Sequence, residues 1–335
     1  MTWQERRIVT FLSAVLAVLF AIVLVLLGVR YKENRAEREA AEEAGVSTPT
    51  DDPGAYTALS YETSSFSLSF SLDENGNWIW SDDPSFPLDD TTILGITSQL
   101  ASWKPQQTVT DSDVLENAGF DQPNATLTAS TAKGSTTLLF GRATTDGNSY
   151  YVRLNGDETT AYILPGTLYQ LMSRPIYDMM ELPELPVLSE ERLLSVTIQG
   201  PDEEEDGTVS SVTVLTAYQS ESGTSWRGDG ANITDAPVVR ALLEDFAALT
   251  ITKCVDYHPS DDAAAICGFD HPAAKVSIRY TTETDTEQTL QLTIGSRLPD
   301  ETGRYVRLGS DSTIYFLPTE LLDPLMAVSV NGLEG

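Results

Sequence analysis

A five-residue segment occurs twice in this chain, and it constrains the fold more than any other feature. Gly119 to Pro123 reads Gly-Phe-Asp-Gln-Pro, and Gly268 to Pro272 reads Gly-Phe-Asp-His-Pro. A tryptophan-containing hairpin and an amphipathic helix precede each copy, while alternating strands, a Tyr-Val-Arg-Leu strand and a closing Leu-Met helix follow it. Agreement of that length and order indicates the duplication of one structural unit.

Each copy of the pentapeptide has the sequence of a helix stop. Asp111 to Asp113 and Ser260 to Asp262 provide N-caps for a short helix that ends at the glycine. Glycine can adopt the left-handed conformation just past a helix, and the proline prevents the helix from resuming. The pattern therefore predicts a turn from helix into strand rather than a ligand site.

The periodicity of apolar residues predicts an α+β fold. The Ser-Leu-Ser-Phe-Ser-Leu run at 67–72 is typical of a half-buried strand, and apolar spacing predicts helices over Leu88 to Trp103 and Ala236 to Leu249. We predict an N-terminal transmembrane helix followed by two tandem repeats, each a twisted antiparallel sheet with one main packed helix. The predicted segments are a cytoplasmic tail at 1–7, the transmembrane helix at 8–29, a stalk and linker at 30–55, the first repeat at 56–178, a proline-rich joint at 179–190 and the second repeat at 191–330.

An uncharged apolar run extends from Ile8 to Val29, and about 20 helical residues span a bilayer. A cleaved signal peptide is the alternative, but its apolar core is shorter and small residues follow it, so an uncleaved anchor is favoured. The count of basic residues on the two sides does not favour an internal N-terminus. Because long C-terminal domains translocate largely regardless of charge, we expect a single-pass protein of the cell membrane with an extracytoplasmic body.

The charge of the chain excludes some classes of partner. Its 335 residues include 50 Asp and Glu but only 20 Lys and Arg, which gives a formal net charge of −30. A nucleic-acid-binding protein needs a basic face that displaces phosphate counterions, so we predict no nucleic-acid partner. The same excess argues against docking of the folded part on anionic lipid headgroups.

The two cysteines, Cys254 and Cys267, flank the short helix of the second repeat. Two interpretations stay open: a disulfide that closes a short loop in an oxidising compartment, or two buried free thiols. His258, His271 and Asp270 lie near them in sequence, but these residues lack the paired spacing of a metal site. We therefore assign no metal-binding residue and no cofactor.

The two Tyr-Val-Arg-Leu strands contain the candidate partner-binding residues Tyr151, Arg153, Tyr305 and Arg307. Each arginine alternates with apolar residues, which predicts that both project from the same face of their sheets. One interpretation makes each arginine the cross-strand partner of a carboxylate. The other makes these residues a face that binds an anionic ligand or partner.

The chain contains no recognisable catalytic signature. A phosphate loop, a dinucleotide-binding turn and a nucleophile elbow are all absent from the sequence. Glycoside hydrolysis requires two carboxylates at a fixed separation, and with 50 acidic residues the sequence cannot single out such a pair. We therefore assign no catalytic residue and expect a protein that is not an enzyme.

The sequence resembles a family of bacterial membrane-anchored proteins, the domain of unknown function 4340, in two tandem copies. The resemblance is carried by Gly119 to Pro123, Gly141-Arg142, Tyr150 to Leu154 and their copies in the second repeat. Members of that family are often encoded beside ABC-type transporters of the gliding-motility kind. The resemblance therefore implies an auxiliary extracytoplasmic role, and it assigns no catalytic residues.

These observations together favour a non-enzymatic binding or scaffolding subunit associated with an ABC-type transporter. Tandem rigid sheets offer an extended recognition surface without requiring an active-site pocket. The expected partners are the membrane, through Ile8 to Val29, and the transporter subunits. A cell-envelope glycan hydrolase and a surface adhesin or structural wall protein are the alternatives.

Overall fold

The structure, a computed structural model, describes residues 49–50, 52–201, 212–221 and 223–334. The predicted tail, the predicted span from Ile8 to Val29 and most of the stalk lie outside these residues. Within them, no helix has both the length and the apolar character needed to cross a membrane. The chain divides into two compact units: the first comprises the residues up to Pro84 together with Asp90–Arg174, and the second comprises Ser85–Asp89 and the residues from Pro175 onward.

The first unit is built on an eight-stranded sheet whose neighbouring strands pair in the order β3-β2-β1-β5-β6-β7-β8-β4. The paired strands are antiparallel throughout. The strands are β1 Tyr56–Thr63, β2 Ser67–Leu72, β3 Trp78–Trp80, β4 Gln107–Val109, β5 Ala125–Thr131, β6 Gly134–Ala143, β7 Ser149–Leu154 and β8 Ala161–Pro165.

The second unit is built on a nine-stranded antiparallel sheet with the order β12-β11-β10-β9-β14-β15-β16-β17-β13. The strands are β9 Leu193–Gln199, β10 Val212–Ser220, β11 Gly223–Gly228, β12 Ala231–Asn232, β13 Lys253–Asp256, β14 Ala274–Thr281, β15 Glu287–Arg297, β16 Gly303–Leu308 and β17 Ile314–Pro318. Apart from the additional edge strand β12, the equivalent strands follow the same order as in the first unit. The two sheets therefore confirm the duplication that the pentapeptide predicted.

Six α-helices lie in the described part of the chain. They are α1 Thr91–Ala101, α2 Ser112–Asn117, α3 Thr167–Met172, α4 Pro237–Ala248, α5 Asp261–Ile266 and α6 Thr319–Asn331. Short 3-10 helices occupy Pro53–Ala55, Ile176–Met179 and Gly332–Glu334. The predicted main helices α1 and α4 are present with narrower bounds than expected. The closing helix of the second unit, α6, has 13 residues, whereas its counterpart α3 in the first unit has 6.

One face of each sheet is covered by the longer helices. In the first unit the buried strand residues Leu127, Leu138 and Phe140 alternate with half-exposed ones, as an amphipathic strand requires. The Tyr169 ring of α3 lies 6.1 Å from the Phe140 ring centroid on this side, α3 contacts α1, and Ile93 and Ile96 of α1 are fully buried. In the second unit α4 and α6 pack together, and α6 contacts β9, β10, β16 and β17. The opposite side of each sheet is called the open face below.

The helix stops form as the pentapeptide predicted. The Asp111 side chain accepts hydrogen bonds from the backbone N–H groups of Asp113 and Val114, and the Ser260 side chain accepts one from Ala263. Gly119 and Gly268 have φ angles of +80° and +81°, which glycine alone adopts at little cost.

Two backbone hydrogen bonds close the second helix stop. Phe269 N–H donates to the Ala264 carbonyl at 3.1 Å, and Gly268 N–H donates to the Ala265 carbonyl at 2.9 Å. This pattern is the Schellman motif, which satisfies carbonyl groups that the end of a helix leaves unpaired.

A short segment of the first repeat belongs to the second unit. Ser85–Asp89 follows the hairpin strand β3, yet Phe86 is 4% exposed and lies against Tyr177 and Tyr257. Asp89 N–H donates to the Met179 carbonyl at 2.8 Å. Phe86 and Tyr177, which the sequence places in the first repeat, thus pack with Tyr257 in the second unit.

Candidate functional site

Arg153, one of the candidate partner-binding residues, packs on the helix stop of its own repeat. Its Cζ atom lies 4.3 Å from the centroid of the Phe120 ring. Phe120 belongs to a small apolar cluster against which Tyr151 also packs. A guanidinium over an aromatic face is attracted by the ring quadrupole, and this contact therefore joins β7 to the segment that follows α2.

Arg307 makes the same contact in the second repeat. Its Cζ atom lies 4.3 Å from the centroid of the Phe269 ring. In both copies the arginine Nε is buried and has no hydrogen-bond partner among the described residues. Neither sequence interpretation of these arginines anticipated an aromatic partner. The pairs Phe120–Arg153 and Phe269–Arg307 are called the Arg–Phe pairs below.

We expect the first Arg–Phe pair to show a measurable coupling. Arg153→Met keeps the aliphatic stem, and Phe120→Leu keeps an apolar side chain. The free energies of unfolding of the two single variants and the double variant should reveal a coupling of about 0.5–1 kcal/mol. Arg174→Met combined with Phe120→Leu is the control, because Arg174 donates to Thr92 instead. Strictly additive effects of Arg153→Met and Phe120→Leu on the free energy of unfolding would contradict an attraction between these two side chains.

A close backbone approach lies beside each Arg–Phe pair. Gly141 on β6 and Gly295 on β15 pass so near the end of the preceding short helix that an added Cβ would overlap the carbonyl oxygen of Ala118 or of Cys267. The next residue donates a hydrogen bond to that carbonyl, at 2.6 Å from Arg142 and at 2.8 Å from Ser296. The helix stop is therefore joined to the sheet by both backbone and side chain.

The open face of the first sheet carries rows of hydroxyl side chains. Directly paired residues share a face, so the register gives one row of Ser69, Ser60, Thr128 and Thr137 across four strands. Thr128 and Thr137 hydroxyls are 3.3 Å apart. The adjacent row ends in Leu139 and Arg153, so the Arg–Phe pair borders this face.

The open face of the second sheet has the same construction. One row contains Val214, Thr197, Ser277 and Gln291. A second row contains Val212, Gln199, Lys275, Thr293 and Arg307, so the second Arg–Phe pair also borders the open face. The four predicted residues thus lie at the edge of two larger surfaces.

These open faces hold few carboxylates. The chain has 50 Asp and Glu, yet among the paired strand residues of the two faces the carboxylates are Glu62, Asp256 and Glu287. A carboxylate is costly to desolvate, and the centres of protein interfaces are depleted of charged residues. The faces have the composition of a surface that can be covered at modest cost.

The first unit also contains a small pocket. Its volume is about 170 Å³, and Trp103, Lys104, Leu164 and Leu168 are among the residues that line it. Pockets that enclose a drug-sized ligand have volumes of roughly 300–1,000 Å³. The broad open faces therefore offer more area for recognition than this pocket does.

Both cysteines are buried free thiols in the structure. Burial raises the pKa of Cys254 to about 12, and the nearby carboxylates of Asp256 and Asp311 act in the same direction. Burial also raises the pKa of Cys267. Thiols held neutral are poor nucleophiles and poor metal ligands. Across the described residues, no three His, Cys, Asp or Glu side chains are grouped so that they could hold a metal ion.

We expect Cys254 to make the stability depend on alkaline pH. Its thiol ionises near pH 9.0 with an ordinary environment but near 12 when buried, so the folded chain holds the proton more tightly. This contribution is complete below about pH 9 and is lost as the pH rises towards 12. Denaturant unfolding between pH 8 and 10 should show a smaller decline in the free energy of unfolding for Cys254→Ala than for the wild type. An equal decline in the variant and the wild type would contradict a raised pKa for the Cys254 thiol.

Sequence reasoning missed the open faces and the aromatic partners of the arginines. The alternating hydroxyl residues, for example Ser67, Ser69 and Ser71, indicate a half-buried strand, but they do not indicate which strands lie beside it. Pairing register, which the sequence does not state, aligns such alternating residues into a continuous surface.

The comparisons with known proteins identify the family of this chain. No curated protein and no solved structure shows significant similarity to it. The family described as Domain of unknown function (DUF4340) matches residues 78–225 and, immediately after, 226–327. These two segments together cover well over half of the chain, and the boundary between them falls in β11 of the second repeat. The protein therefore belongs to the DUF4340 family and contains two tandem copies of its domain.

Proposed function

We propose that this protein is a non-enzymatic binding or scaffolding subunit that is anchored in the cell membrane and associated with an ABC-type transporter. The observation that carries the proposal is the duplicated open face. Each copy keeps rows of hydroxyl and amide side chains, nearly free of carboxylates, in a chain whose net charge is −30. Broad sheet faces that hold few carboxylates suit recognition of a protein partner.

The association with a transporter rests on the family. The resemblance that first indicated the DUF4340 family implies an auxiliary extracytoplasmic role beside such transporters. The apolar run at Ile8 to Val29 supplies the means of holding the body near a membrane complex.

Site-specific crosslinking from the open faces tests this proposal. A photoreactive residue placed at Thr128 or Thr197 in the full-length protein should capture permease or ATPase subunits in native membranes, identified by mass spectrometry. A photoreactive residue at Glu244, exposed on α4, is the control and should capture less. A mild-detergent pull-down of the same membranes should recover the same subunits.

Other results would overturn the proposal. Recovery of the protein alone would favour an adhesin or structural wall protein. Recovery with wall polymer together with release of sugar fragments would favour the glycan hydrolase.

A further inference from the structure

The small pocket of the first unit lies where the end of α1 meets the end of β8. Leu164 of β8 and Leu168 of α3 are both buried and give the pocket apolar walls, and the half-buried Trp103 adds an aromatic surface. The pocket has a volume of about 170 Å³. A protein cavity of about 150 Å³ encloses a benzene molecule, so this pocket has room for one six-membered ring.

The Trp103 ring is held in place by the protein itself. It makes an edge contact with the Tyr162 ring, with the two centroids 5.5 Å apart and the ring planes at 76°. The Trp103 backbone N–H donates to the Leu100 carbonyl at 3.1 Å. A side chain that is already ordered loses little conformational entropy when a ligand packs against it, so Trp103 suits the role of a binding surface.

Three polar side chains line the same pocket and have hydrogen-bonding groups to spare. The Thr167 hydroxyl donates to Gln99 Oε1 at 3.5 Å, which leaves the Gln99 amide nitrogen as a donor. The Ser102 hydroxyl donates to the Ser98 carbonyl at 2.9 Å, so its oxygen can accept a hydrogen bond. Lys104 makes no hydrogen bond or ion pair with any described residue. The pocket thus combines apolar walls with free donors and an acceptor.

The second repeat lacks the aromatic and cationic part of this pocket. The Leu-Pro end of β8 recurs at the end of β17. Alignment of the buried residues of α1 with those of α4 places Leu249 and Thr250 where the first repeat has Trp103 and Lys104. The fold of the repeat therefore does not require an indole or an ammonium group at this place.

We propose that this pocket binds one pyranose ring of a saccharide. The C–H groups of a pyranose form an apolar face that can pack on the Trp103 ring and the leucine walls. The hydroxyl groups around the ring edge can pair with Gln99, Ser102 and Lys104. An apolar side chain of a polypeptide fits less well, because it would remove water from these polar groups without replacing the lost hydrogen bonds.

The proposed site binds a saccharide without cleaving it. Among the described residues that line the pocket, none is Asp or Glu, and glycoside hydrolysis requires two carboxylates. The pocket is also separate from the open face. Phe140, Val152 and Tyr162 are paired in register, so Tyr162 lies on the helix-covered side of the sheet together with the pocket. The inference therefore goes beyond the proposed function and does not rest on it.

Fluorine NMR of the full-length protein, labelled with fluorotryptophan in nanodiscs of neutral lipid, tests the inference. Loss of one resonance in Trp103→Phe identifies the Trp103 signal. The glycoside probes are methyl glucoside, methyl N-acetylglucosaminide and methyl glucuronide, and the comparison probes are sorbitol and N-acetylphenylalaninamide. We expect at least one glycoside to shift the Trp103 signal with a Kd of about 1–10 mM, as suits a ligand of this size. Its binding should be at least tenfold tighter than that of either comparison probe.

Two conservative substitutions remove hydrogen-bonding groups and leave the pocket walls intact. Gln99→Glu keeps the acceptor for Thr167 but removes the free amide donor, and Lys104→Met keeps the aliphatic stem but removes the ammonium group. Combined, they should weaken glycoside binding at least tenfold. Lys133→Met removes an exposed cation in the turn between β5 and β6 and should leave binding within twofold. Unfolding transitions measured by circular dichroism establish that each variant folds.

Several results would overturn the saccharide site. They are the absence of a Trp103 shift with all three glycosides, equal binding of sorbitol, and unchanged glycoside binding by the Gln99→Glu, Lys104→Met variant. Tighter binding of N-acetylphenylalaninamide would instead assign the pocket to an apolar side chain of a polypeptide. Crosslinking from Thr128 does not involve this pocket, so failure of the proposed function is observed separately.

Discussion

Replacing Gly141 or Gly295 with alanine is expected to destabilise the corresponding repeat by about 3 kcal/mol, because the new Cβ overlaps a carbonyl oxygen. Neither glycine has a left-handed backbone, so the whole effect is steric. In each copy the obstructing atom belongs to backbone, Ala118 O or Cys267 O, and cannot rotate away as a side chain could. Relief requires the helix stop to move off the sheet, which would also pull the ring of Phe120 or Phe269 from its arginine.

Hydrogen exchange in increasing denaturant measures this effect locally. For Gly141→Ala the loss of protection should centre on β5, β6 and α2, and for Gly295→Ala on β14, β15 and α5. Gly147→Ala is the control: nothing lies within 4 Å of its Cβ, although its φ of +74° makes alanine cost about 1–2 kcal/mol. Equal destabilisation by all three substitutions would show that the close approach has no special energetic role.

Phe86→Ala should destabilise the second unit by about 3 kcal/mol or more, although Phe86 lies in the first repeat of the sequence. Its ring is nearly fully buried, 5.2 Å from the Tyr257 ring centroid and 6.2 Å from that of Tyr177. Tyr257 also donates from its hydroxyl to the Ser85 carbonyl at 3.1 Å. Truncation to alanine removes these contacts and leaves a cavity that the aromatic neighbours can fill only in part.

The same exchange experiment locates this loss. Protection should fall most in β13 and in the 3-10 helix Ile176–Met179, which contact each other. Val187→Ala is the control in the second unit, because its side chain is 75% exposed and its removal should change stability by less than about 0.5 kcal/mol. Destabilisation confined to β1, β2 and α1 would instead assign Phe86 to the first unit.

The local elements were predictable because their causes are local. The caps at Asp111 and Ser260, the left-handed Gly119 and Gly268, and the alternating strands depend on residues a few positions apart. The duplication allowed each assignment to be checked against its copy. The tandem duplication and the α+β class followed from these patterns and are present in the protein, and the two DUF4340 domains that the resemblance implied are confirmed.

The contacts of the candidate residues were not predictable in the same way. Phe120 and Arg153 are 33 positions apart, and their meeting depends on how β6 and β7 pair and on the close approach at Gly141. The sequence indicated that Arg153 and Arg307 are equivalent, but it could not show which side chain each guanidinium meets. Hydrophobic periodicity likewise gives no indication that Phe86 belongs to the second unit.

By itself, the sequence determined the repeat, its secondary-structure order, the acidic character of the chain and the positions of its helix stops. These properties arise from composition and from interactions over one or two turns of chain. Only the tertiary structure decided which residues share an open face, because pairing register sets every side chain to one side of a sheet or the other. Register joined scattered serines, threonines and a few cations into the surfaces on which the proposed function depends.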